Sequence, residues 1–109
     1  MPPMFRNPYY QITTPANVVL RDGRNEHLNN VVFSTLPVFW DLTPYFPINP
    51  LNTQYKIRIW DWRMNQVNDI FVSEVYFNMI NYTYPPNQYP PTITLMQNQT
   101  KITLELQWQ

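Results

Sequence analysis

Apolar and polar side chains alternate most cleanly over residues 55–60, where Tyr55, Ile57 and Ile59 interleave with Lys56 and Arg58. Successive side chains of a strand point to opposite faces. This period of two therefore predicts a strand with one face in the core and a cationic face on the other side. Residues 72–77, rich in Val, Tyr and Phe, are predicted as the next strand. Further strands are predicted at 9–13, 17–21, 30–34, 92–96 and 102–108, with a short one at 39–42. The polar turn 22–26 is expected to join 17–21 to 30–34 as a hairpin. Pro44, Pro47 and Pro50 punctuate an extended connection, and a loop rich in Tyr, Pro and Asn runs from 81 to 91.

Composition narrows the fold class. Twelve prolines and a single glycine are spread through 109 residues. A proline inside a helix costs about 3 kcal/mol, so few windows remain for one. The expected class is all-β, an antiparallel Greek-key β-sandwich of about seven to eight short strands. The length suits one domain, residues 1–109, of which 1–15 form a proline-punctuated lead-in.

Seven basic and seven acidic side chains balance one another, which argues against nucleic acid as a partner. The absence of cysteine excludes disulfides and thiolate metal sites and fits a reducing compartment. No run approaches the roughly 20 apolar residues of a membrane span, and residues 1–10 lack the apolar stretch of a secretory signal. The expected location is cytoplasmic, with peripheral contact at a membrane as the alternative. Candidate catalytic groups are scarce. His27 is the lone histidine, Ser34 and Ser73 are the two serines, and a lone Gly23 cannot build a phosphate-cradling loop. No enzyme activity and no cofactor are expected.

Several segments carry a pattern of their own. Residues 60–62 read Trp-Asp-Trp, and a second acid, Asp69, follows Asp61 by eight positions before an apolar strand resumes. Upstream stand Val18-Val19-Leu20, the turn Asp22-Gly23-Arg24-Asn25, and Thr35-Leu36-Pro37-Val38-Phe39-Trp40-Asp41. Near the carboxyl end stands Lys101-Ile102-Thr103-Leu104-Glu105-Leu106-Gln107-Trp108. In order and spacing these segments resemble a C2 domain. The loop from Trp60 to Asp69 resembles the third calcium loop of the version in conventional protein kinase C.

The resemblance implies a calcium- and lipid-binding type of sandwich whose metal site is degenerate. Asp61 and Asp69 stand at two loop carboxylate positions, but Arg63 stands where the family has a third Asp. Pro15 and Tyr9 likewise stand at first-loop positions that are usually Asp. Calcium takes about six to eight oxygen ligands, and arginine offers no acceptor, so no metal is expected. Arg63 is expected instead to pair with Asp61 or Asp69. The resemblance marks Lys56 and Arg58 as part of a basic surface for acidic headgroups. Trp62, Met64 and Val67 are loop residues able to enter a membrane interface or a partner's pocket, and Trp40, Trp60 and Trp108 are structural.

The family also places one or two strands ahead of Tyr9 that have no counterpart here. Either residues 1–15 supply a strand, or a sheet edge is left open to a partner. The expected function is a calcium-independent binding or scaffolding module that engages another protein or further copies of itself. The alternative is a peripheral membrane-targeting module that binds acidic phospholipid headgroups.

Overall fold

In the computed structural model, which describes residues 6–31, 37–42, 45–63, 68–86, 88–97 and 100–108, the alternating segment is the strand around which the others assemble. Six strands are present among the described residues: β1 (Pro8–Thr13), β2 (Val19–Asp22), β3 (Gln54–Asp61), β4 (Ile70–Asn78), β5 (Thr92–Gln97) and β6 (Thr100–Glu105). Short 3-10 turns occupy Arg24–Glu26 and Met79–Tyr82. One antiparallel sheet has the order β2-β1-β3-β4, and β5 and β6 form a second antiparallel pair. The all-β expectation holds, with six strands among the described residues against the seven to eight predicted.

Register explains which side chains reach the core. In the large sheet Tyr10 lies opposite Ile59, Ile12 opposite Ile57, Ile57 opposite Val75, and Tyr55 opposite Phe77, so the apolar face of β3 continues across both neighbours. Ile93 and Leu95 of β5 meet that face from the second sheet, and Met79 joins them in one buried cluster. Each such side chain contributes about 1.5–3 kcal/mol on burial. Trp40, Leu42, Phe46, Ile48 and Leu51 of the long connection pack against the same cluster, as do Ile102, Leu104, Leu106 and Trp108 from the carboxyl-terminal side.

β1 resolves the question of the leading strand. It lies inside the large sheet, paired along its length with β3 and with β2 on the other side. The lead-in therefore supplies a central strand, and the outer place falls to β2.

Three expected elements are corrected. First, β2 forms its hairpin with β1, whereas the predicted partner was 30–34. The Thr14 N–H donates to Val18 O at 2.9 Å, the Asn17 N–H donates to Thr14 O at 2.9 Å, and Asn17 has φ 69. Pro15 suits entry into such a turn and Asn tolerates the left-handed region, so three local residues close a loop that the longer 22–26 connection would close less readily. The 22–26 segment instead makes the 3-10 turn Arg24–Glu26. Of 30–34, Val31 makes an isolated bridge to Arg6, and residues 32–34 lie outside the described residues. Second, residues 39–42 are not a strand. Trp40 meets Tyr10 edge-on at 5.7 Å and donates its indole N–H to Glu26 O at 3.1 Å, so the segment is held by its side chains. Third, β6 ends at Glu105. Beyond it the Leu106 N–H donates to Pro91 O, and Trp108 packs on Tyr89.

The only glycine is required for space. Gly23 adopts φ −92, ψ 15, and a Cβ built there would stand 2.5 Å from Cε1 of the buried Tyr10 ring. Tyr10 is held in turn by Trp40, so the ring has little room to retreat. Gly23→Ala is expected to destabilise the fold by about 1–3 kcal/mol, the range for overpacking. Urea denaturation measures it, and an unchanged midpoint would show that the ring moves freely.

Candidate functional site

The two loop carboxylates meet at the end of the large sheet where β1 begins and β3 ends, since Pro8 lies opposite Asp61. The period of two that turns Tyr55, Ile57 and Ile59 inward also carries Asp61 to that side, and it is fully buried. Its Oδ1 accepts the Asn7 main-chain N–H at 2.8 Å. Its Oδ2 is 3.1 Å from Arg6 Nη1 and 2.6 Å from Arg63 Nη2. The Arg63 side chain is thus on Asp61, while its main-chain N–H donates to Asp69 Oδ1 at 3.1 Å.

Asp69 is bound by different partners. The Tyr9 hydroxyl donates to Oδ2 at 2.7 Å, and Arg24 reaches both oxygens, with Nε at 2.7 Å and Nη2 at 3.3 Å. Burial pushes the Asp69 pKa upward, but the hydrogen bonds from Arg24, Tyr9 and the Arg63 main chain outweigh it and hold the carboxyl at about 2. Tyr9 is displaced the other way. Burial, then its bond to the Asp69 carboxylate, raises the phenol well above its ordinary value. The Arg24 pKa is raised, chiefly by its hydrogen bond to Asp69.

Lowering a carboxyl pKa on folding ties stability to pH with a definite sign. Asp69 has an ordinary value of 3.8, so its contribution is present in full above that value and is lost as pH falls through about 2. Asp69→Asn is expected to lower the melting temperature at neutral pH and to match the parent near the acid end of that window. An equal deficit at both pH values would show that the charge of the carboxylate contributes nothing.

Trp62 is tied to the cluster by main-chain and side-chain bonds to Asn7, at 2.9 Å and 3.0 Å, and its ring stacks on His27 at 3.9 Å. The His27 Nδ1 lies 3.3 Å from Leu28 O. Ser73 Oγ accepts the Thr100 hydroxyl across the two sheets. Met64 and Val67 lie outside the described residues, as does Ser34. Pro15 does not join the carboxylates. It lies two residues beyond Thr13, which is opposite Lys56, at the far end of β1 from Pro8 and Asp61. Tyr9 does join them, through its bond to Asp69.

Lys56 and Arg58 are on the opposite face of β3 from Tyr55 and Ile57, but they are not free cations. Lys56 is 3% exposed. Its Nζ lies 3.3 Å from Glu74 Oε1, and Arg58 Nε lies 3.2 Å from the same oxygen. The Arg58 guanidinium is further held over the Trp60 and Phe71 rings, and Lys56 over Tyr76. Pairing with Glu74 and aromatic cover replace the solvated cationic face that alternation alone predicts.

Comparison of the chain with protein-family models, with curated proteins and with solved structures gives no match.

Proposed function

We propose that this protein is a small C2-like binding or scaffolding module that works without calcium and without catalysis. Its contact is strand addition at β2, with a second copy of the chain as the partner. The observation that carries the reading is the outer strand itself. β2 pairs only with β1 among the described residues, and Val18, Val19 and Leu20 on that edge are 58%, 45% and 45% exposed. An outer strand presents main-chain donors and acceptors in a row, and a partner strand satisfies them. Two copies related by a two-fold axis set β2 against β2 antiparallel, in a self-complementary contact.

The calcium-independent part of the reading is supported by the saturation of Asp61 and Asp69 with protein donors. A ligand at a hundred times its dissociation constant adds about 2.7 kcal/mol to stability. Melts in millimolar calcium and in chelator are therefore expected to coincide.

Light scattering on a sizing column tests the contact. The parent is expected to gain mass with concentration, and Val19→Lys, which charges the edge, is expected to remain a monomer with an unchanged melt. A parent that is monomeric at every concentration would sink the proposal.

A further inference from the structure

The bonds at the loop end decide which sign of ligand it takes. Asp61 accepts from the Asn7 main chain and from Arg6, one on each oxygen, and its Oδ2 is ion-paired with Arg63 Nη2 at 2.6 Å. Asp69 accepts through both from Tyr9, Arg24 and the Arg63 main chain. An ionised carboxylate has about four lone-pair sites, so little acceptor capacity is left for a cation.

Donor capacity remains. Each guanidinium carries several N–H groups in a rigid fork, and the Arg6, Arg24 and Arg63 side chains are 39%, 46% and 30% exposed. Arg63 Nε is buried and has no hydrogen-bond partner among the described residues. Three cations thus gather on two carboxylates. The bordering acid, Asp22, is already engaged by the Arg24 main-chain N–H at 2.9 Å. Guanidinium forks match the oxygens of phosphate groups, and a cluster pre-ordered by buried carboxylates loses little freedom on binding one.

We propose that this cluster is an oxyanion site in which the outward donors of Arg6, Arg24 and Arg63 bind a phosphate-type group. It inverts the sign of the ligand that the C2 resemblance implies at this loop. The site is separate from the β2 edge and stands or falls without it. The phosphate is either a free ion or part of a lipid headgroup.

Titration of nitrogen-labelled protein with inorganic phosphate at constant ionic strength tests it. The Arg6, Arg24 and Arg63 side-chain N–H signals are expected to move along saturating curves. Arg24→Gln is expected to weaken the apparent affinity about tenfold, the loss of one charge-assisted hydrogen bond. Arg24→Lys, which keeps the charge but not the fork, serves if that variant does not fold and is expected to weaken binding less. Arg58→Gln, a change in the Glu74 group, is expected to leave the affinity unaltered.

Phosphatidylcholine vesicles with and without phosphatidic acid separate the two sources. Arg24-dependent sedimentation with phosphatidic acid assigns the headgroup, and saturation by free phosphate without vesicle binding assigns the free ion. Linear shifts with no Arg24-dependent vesicle binding overturn the proposal, as does an equal loss in Arg58→Gln.

Discussion

A chain lacking residues 1–13 is expected to lose its cooperative thermal transition altogether. The deletion removes β1, which sits between β2 and β3, so two ladders of hydrogen bonds are lost and β2 is left without a strand partner among the described residues. It also removes Tyr9, Tyr10 and Ile12, all buried. At about 1.5–3 kcal/mol for each buried side chain, the loss is comparable with the whole stability of a domain, typically about 5–15 kcal/mol. Ile12→Ala provides the graded form of the same test, with an expected loss of about 2–5 kcal/mol by urea denaturation. A truncated chain that stays monomeric with an unchanged melting temperature would show that the sheet closes without β1.

The second large effect is expected from removing both guanidiniums that hold Asp61. Arg63→Ala alone leaves the carboxylate with Arg6 and the Asn7 N–H, and a partly exposed pair is worth no more than about 1 kcal/mol. Removing Arg6 and Arg63 together strands a fully buried carboxylate on one main-chain N–H. Breaking a buried pair in this way costs about 3–5 kcal/mol, so the double variant is expected to lose more than the two single variants combined. A strictly additive cycle would mean that Asp61 is rehydrated as soon as either arginine leaves. The corresponding cycle between Arg63 and Asp69 is expected to show little coupling. Only the Arg63 main chain contacts Asp69, and the arginine side chain opposite that carboxylate is Arg24.

The strands with strong local pattern were legible. β1, β3, β4 and β5 were each found within two residues at either end, because alternating apolar side chains must share one face whatever packs on it. Strand partners were not legible in the same way. The hairpin of β2 depended on whether Thr14 to Val18 or residues 22–26 closed the shorter loop, and Asn17 at φ 69 decided it. Trp40 and Leu42 have strand-like composition but pair with no strand among the described residues, and they pack on the core as single side chains from an extended connection.

The candidate site divides along the same line. Asp61, Arg63 and Asp69 were visible as a group because they share one short loop, and the positive charge between two acids pointed to pairing. Arg6 and Arg24 carried no such signal. Each lies more than 40 residues away along the chain from the carboxylate it bonds, with |i−j| of 55 and 45. The sequence by itself determined an all-β chain, the face that β3 turns to the core, and a loop in which an arginine stands between two acids. These follow from the period of the backbone and from the donor and acceptor inventory of the side chains, both of which are local. Tertiary structure alone decided that β1 is a central strand, that Lys56 and Arg58 share Glu74, and that three arginines surround two carboxylates. Those outcomes depend on which strands lie side by side, and a single chain pattern is compatible with more than one such order.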